Sequence, residues 1–203
     1  MKKLLFVFLF IFGSVIYAQE ETFMGQEEVS NGGFGAPVIK FTSINSQFGV
    51  LVGGKGGWII NHSIILGAGG YGLVNQTDGP VSSVSNNVSL VLGYGGFEMG
   101  YIISSDKIVH SAVGILIGAG AVSQRKNYNI FNYNITLPNL AALGYDNFFI
   151  AEPEVDIEFN IVRFLRIDIG ASYRIISGVN QNGLKNSDLA GVSGIMTLKF
   201  GKF

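Results

Sequence analysis

Phe148-Phe149-Ile150-Ala151-Glu152-Pro153-Glu154-Val155-Asp156-Ile157-Glu158-Phe159-Asn160 decides the fold of this chain. Phe149, Ala151, Pro153, Val155, Ile157 and Phe159 share one parity. Phe148, Ile150, Glu152, Glu154, Asp156, Glu158 and Asn160 share the other. Only an extended strand has a side-chain period of two, so this is a strand with one oily face and one face rich in carboxylates. The next run repeats the pattern. Leu165, Ile167, Ile169, Ala171, Tyr173 and Ile175 oppose Arg166, Asp168, Gly170, Ser172 and Arg174. A hairpin centred near Val162 joins the two runs and brings Glu158 close to Arg166. Near the C-terminus Val192, Met196, Leu198 and Phe200 alternate with Ser193, Thr197 and Lys199.

Working outward, eight strand-like runs are separated by turn signals: about 37–45, 47–60, 63–74, 88–103, 109–123, 148–160, 164–176 and 189–201. Most exceed the roughly 9–11 residues that a tilted strand needs to cross a bilayer. The connections alternate in length. With both ends of the mature chain in the periplasm, a tight turn near Asn45-Ser46 and the longer 75–87, 124–147 and 177–188 face outward. Asn61-His62, 104–108 and 161–163 face the periplasm. The Gly53-Gly54-Lys55-Gly56-Gly57 and Gly67-Ala68-Gly69-Gly70 runs invite bulges that would shift parity in the second to fifth strands.

Composition agrees with a lipid-facing exterior. Of 203 residues only 13% are charged while 48% are hydrophobic, against about 25% charged in an average soluble domain. Residues 1–18 read as a signal peptide: Lys2 and Lys3, the apolar run Leu4 to Phe12, then Tyr17-Ala18 as the cleavage site. Cleavage removes two of the 13 basic residues and none of the 14 acidic ones, leaving a net charge of about −3; nucleic acid is not an expected partner. After the signal no stretch offers about 18 consecutive apolar residues, so a membrane-embedded form must be a closed barrel. Residues 19–36, acidic and then glycine-rich, read as a flexible tail before a barrel over 37–203. The chain has no cysteine, which excludes disulfides, thiolate metal sites and a cysteine nucleophile.

Alternation alone also suits a soluble ligand-binding barrel with its oily face inward. Scarce charge, long strands, alternating loop lengths and the ending Met196-Thr197-Leu198-Lys199-Phe200-Gly201-Lys202-Phe203 favour the opposite polarity. That ending resembles the C-terminal assembly signal of outer-membrane barrel proteins, although Phe203 lies off the parity of Met196, Leu198 and Phe200. The strand pattern over 37–203 resembles the eight-stranded outer-membrane barrels of Gram-negative bacteria. The resemblance implies an all-β, antiparallel, up-and-down transmembrane barrel inserted by the barrel assembly machinery, with outer-membrane lipid and lipopolysaccharide as its surroundings. It implies no particular activity. Trp58, Tyr101 and Phe159 then fall where a periplasmic aromatic girdle sits.

The face turned inward collects the acids Glu98, Glu152, Glu154, Asp156, Glu158 and Asp168 and the bases Lys40, Lys55, Arg166, Arg174 and Lys199. An eight-stranded barrel has room inside only for side chains, and charges there must pair. A plug of ion pairs with a structural role is the expectation, and a narrow channel through the same charges is its rival. No catalytic, metal or cofactor residue is assigned. Carboxylates on one strand lack the cleft that glycoside hydrolysis needs. The asparagines of 177–188 are ordinary turn composition. A lipid A-modifying enzyme would need a serine or carboxylate beside a histidine on the lipid face. His62-Ser63 and His110-Ser111 are sequence neighbours that point to opposite faces. The 124–147 loop, with Arg125, Lys126, Tyr128, Phe131, Tyr133 and Tyr145, is the best candidate for surface recognition.

Overall fold

A computed structural model describes residues 30–79, 88–126, 145–180 and 183–203. The expected signal peptide, residues 19–29, and Tyr128, Phe131 and Tyr133 lie outside them. The strands are β1 (Asn31–Ile44), β2 (Gln47–Ile60), β3 (Ile64–Leu73), β4 (Val88–Ile103), β5 (Val109–Lys126), β6 (Tyr145–Val162), β7 (Leu165–Ser177) and β8 (Gly191–Lys202). Each pairs antiparallel with the next, and β8 pairs with β1 to close the barrel. Closure leaves no strand edge unpaired, the condition a sheet must meet in lipid.

Connections of unequal length mark the two ends. The β1–β2 turn, residues 74–79, 178–180 and 183–190, and the adjoining ends of β4, β5 and β6 lie at the loop end. The connections 61–63, 104–108 and 163–164 lie at the turn end with Ser30 and Phe203. Asn45 and Ser46 both have positive φ, at 49° and 62°. A two-residue hairpin matching the strand twist requires this, and asparagine tolerates it well.

Side chains alternate strictly between buried and exposed along β1, β7 and β8. Val155 and Ile169, each about half exposed, stand on the outside, while Asp156 and Arg174 are buried within. The outward face is apolar on every strand, with Ile39, Val52, Phe97, Ile117, Ile157, Tyr173 and Met196 exposed. Trp58 and Tyr101 are exposed near the turn end; Phe159 is half-buried.

Four sequence expectations need correction. β1 reaches back to Asn31, so residues 31–36 belong to the barrel and not to the tail. β5 extends to Lys126 and β6 starts at Tyr145, so the ends of the expected 124–147 loop are strand. The glycine runs do not bulge. Pairing from β2 through β5 is continuous, and the register slips between Asn160 and Val162, beside the tight β6–β7 turn.

The fourth is that the connection after β7 holds a single helical turn, α1 (Asn186–Leu189). The Asp188 carboxylate accepts the Lys185 backbone N–H at 2.8 Å. The Asn186 side chain accepts the Val179 N–H at 2.9 Å, and Asn45 donates to the Asp188 carbonyl at 2.6 Å. Four residues are too few to show helical periodicity in a sequence.

Candidate functional site: the charged lumen

The interior is layered. At the loop end, Ile44, Leu51, Leu90, Leu92, Val122 and Phe148 pack with Leu184 and the fully buried Leu189 of α1. At the turn end, Phe34, Ala36, Ile59, Ile65, Ile102 and Ala112 pack with Phe203. The charged residues lie between these two apolar plugs.

Nearest the loop end is Arg174, fully buried. Its Nε donates to the Leu189 carbonyl at 3.2 Å, Nη1 to Ser193 Oγ at 2.6 Å and Nη2 to Thr42 Oγ1 at 2.8 Å. Neutral acceptors therefore satisfy its rigid donor fork, and the contact to Leu189 ties α1 to the wall. The next layer centres on Glu152. Its Oε2 lies 2.9 Å from Lys40 Nζ and accepts from Tyr94 Oη at 2.8 Å; its Oε1 accepts from Ser172 Oγ at 2.6 Å. Lys40 Nζ also sits 3.8 Å from the centre of the Tyr71 ring, a cation–π contact strengthened by exclusion of water.

The third layer surrounds one ammonium with three carboxylates. Lys55 Nζ is 2.5 Å from Glu154 Oε1, 3.2 Å from Glu98 Oε1 and 3.9 Å from Asp156 Oδ2. Glu98 Oε2 and Asp156 Oδ1 have no hydrogen-bond partner among the described residues. They flank a void of about 10 Å³ that Lys199 also lines, near the smallest volume that holds one water.

The fourth layer joins β5 to β8. Lys199 Nζ pairs with Glu158 Oε1 and lies 2.8 Å from Asp168 Oδ2. Glu158 Oε2 is 3.2 Å from Arg166 Nη1, the contact that the β6–β7 hairpin geometry suggested, and 3.0 Å from His110 Nε2. His110 Nδ1 is 3.1 Å from the Lys107 carbonyl, which can only accept, so Nδ1 carries a proton. Nε2 then accepts from Arg166, 3.3 Å away, in the neutral ring, and donates to Glu158 in the imidazolium. Phe203 closes the stack, its ring centre 4.1 Å from the Arg166 guanidinium carbon.

All eleven residues expected in the lumen thus have their charged groups inside the barrel, and ten of them meet an opposite charge there. Arg174 is the exception. Sequence reasoning left His110 out and gave it no carboxylate neighbour. The structure corrects this: His110 stands directly across from Glu158 in the β5–β6 register. Its parity placed it on the lumen face, but the register across 127–144 was not readable. Phe203 continues the parity of Thr197 and Lys199, which is why it folds beneath the lumen instead of projecting outward.

Glycine makes room for this network. A Cβ at Gly69 would lie 3.2 Å from both Lys55 Cβ and Tyr71 Oη, and a Cβ at Gly170 would strike the Asp156 carboxylate. Chemically the arrangement is a buried lattice of charge-assisted hydrogen bonds in which most, though not all, of the polar atoms find a partner. Among the described residues no group of histidine and carboxylate side chains could hold a metal ion. His62 is exposed in the β2–β3 turn.

No family model and no curated protein matches the sequence. Solved structures do resemble the fold. Neisserial surface protein A superposes with a TM-score of 0.59 at 14% identity, covering 87% of this chain and 100% of that one. The N-terminal β-barrel domain of Pseudomonas aeruginosa OprF gives 0.53 at 10% identity, covering 86% and 99%. Ail, the attachment invasion locus protein of Yersinia pestis, gives 0.51 at 9%, also covering 86% and 99%. The fold is therefore that of the eight-stranded outer-membrane β-barrels.

Proposed function

We propose that this chain is a non-enzymatic outer-membrane barrel with a structural or surface-interaction role, its lumen sealed by an ion-pair plug. The observation that carries this reading is the filled interior. Among the described residues the void lined by the charged layers holds about 10 Å³, and apolar clusters pack toward both ends. The apolar exterior supports residence in lipid, and the fold shared with outer-membrane barrels supports that particular membrane. Export by a signal peptide cleaved after Ala18, insertion by the barrel assembly machinery, and contact with lipopolysaccharide at the loop end belong to the same proposal.

The plug argues against a channel, because a conducting path would have to break several buried ion pairs at once, each costly to open. A lipid A-modifying enzyme is disfavoured by His110, whose carboxylate partner lies in the lumen and not on the lipid-facing side. A surface-interaction role draws support from the loop end, where Tyr145 and Phe149 are largely exposed, and from the attachment named for Ail. Purified protein in planar bilayers tests the sealed lumen directly. The expected result is no stepwise ion conductance; discrete conductance steps would favour the channel reading. Envelope fractionation and the mass of the mature N-terminus test location and processing.

A further inference from the structure

The turn end carries a feature that the lumen plug does not use. A pocket of about 460 Å³ opens there, lined by Asn160, Val162, Arg163, Arg166, Lys202 and Phe203. Among the described residues it is lined by three cationic side chains and no acidic one. Arg163 and Lys202 are exposed and have no ion-pair partner among the described residues. Arg166 is buried, with only 5% of its surface exposed; its Nη1 is committed to Glu158, but its Nε–H is buried without an acceptor. A buried donor left unmatched is costly, and Arg166 lines an open cavity together with the exposed Arg163 and Lys202. The rim is apolar on its outward side, where Val162 and Phe164 are 47% and 61% exposed.

We infer that this pocket binds the phosphodiester headgroup of an anionic phospholipid in the adjoining leaflet. The phosphate oxygens accept from Arg163 and Lys202, the nearby Arg166 guanidinium adds positive potential, and the acyl chains lie along Val162 and Phe164 on the outer wall. A free phosphate would use the cations and leave the apolar rim without a role, so the lipid is the better match. The site is independent of whether the lumen conducts, and its test needs no knowledge of a surface partner.

Native mass spectrometry of the barrel released from neutral detergent, with phosphatidylglycerol or phosphatidylcholine added, reads the site directly. The expected result is retention of phosphatidylglycerol in preference to phosphatidylcholine, with an affinity about 30-fold lower in R163Q/K202Q. Both positions are exposed, so the doubly substituted barrel folds, as heat-modifiable gel migration will check; Arg166 is left intact because it also holds Glu158. Equal retention of the two lipids, or phosphatidylglycerol binding unaffected by R163Q/K202Q, overturns the proposal. Complete displacement of the lipid by millimolar inorganic phosphate overturns the lipid assignment, leaving only an anion site.

Discussion

The two walls of the barrel solve the interior differently. β6, β7 and β8 turn long ionised side chains inward: Glu152, Glu154, Asp156 and Glu158, then Arg166, Asp168 and Arg174, then Lys199. The facing wall, β2 to β5, supplies Lys55, Glu98 and His110, but its inward positions also include Gly57, Gly67, Gly96, Gly114 and Gly118. One wall provides charge and the other provides space. Gly57 faces Gly67, and Gly96 faces Gly118, across strand pairs. A Cβ at Gly57 would come within 2.7 Å of Gly67 Cα. The backbones approach so closely there that the opposite wall's side chains can fill the centre. A narrow barrel can therefore hold a thick ionic core only if half of its circumference gives up side-chain volume.

The sharpest way to break the comparison is to remove a charge from the charged wall. Lys199→Met leaves Glu158 and Asp168 buried with their shared cation gone. The expected loss is about 3–5 kcal/mol, read from urea unfolding of the barrel in detergent micelles; a loss below about 1 kcal/mol would mean that the lumen is wet. Placing a charge on the other face of the same wall should cost somewhat less. Val155→Arg, near the middle of β6, is expected to lower stability in lipid by about 2–4 kcal/mol in reversible folding into vesicles.

On the glycine wall the expected effect is steric. Gly118→Val drives its side chain into the Gly95–Gly96 backbone, and overpacking of this kind costs about 1–3 kcal/mol. The same unfolding titration measures it, and a neutral outcome would show that the walls can separate. The smallest effect belongs to Gly194→Ala in β8, where a Cβ meets nothing within 4 Å. Its stability should stay within about 0.5 kcal/mol of the parent, which separates glycines that make space from those that do not.

The same contrast explains what could be read in the sequence. On the charged wall most inward residues are polar or ionised, so the strands and the Glu158–Arg166 contact follow from parity, whereas the polarity also needed the scarce charge, long strands and alternating loop lengths. On the glycine wall a residue without a side chain reports no face. The runs around Lys55 and Gly69 thus looked able to bulge, although pairing there is unbroken. His110 was missed for a different reason. Its partner Glu158 is fixed by the β5–β6 register, and no local signal carries a register across a long connection. The α1 turn escaped because its stability comes from Leu189 packing in the apolar cluster with Ile44 and Leu51 and from the Arg174 contact, both long-range effects. Residues 31–36 looked like tail because Asn31-Gly32-Gly33 continues a polar stretch with glycine-rich composition, yet Gly33 and Gly35 pair with both β2 and β8. Closure of the barrel overrides their weak strand propensity.

The central claim is the inverted polarity, and the absence of cysteine makes it directly measurable. Single cysteines at Val155, Ile169 and Leu198, labelled with an environment-sensitive fluorophore in the vesicle-embedded barrel, should be quenched by lipid-borne quenchers and spared by an aqueous one. Labels quenched only from water, or thiols that stay unreactive because they are packed against one another, would contradict the account.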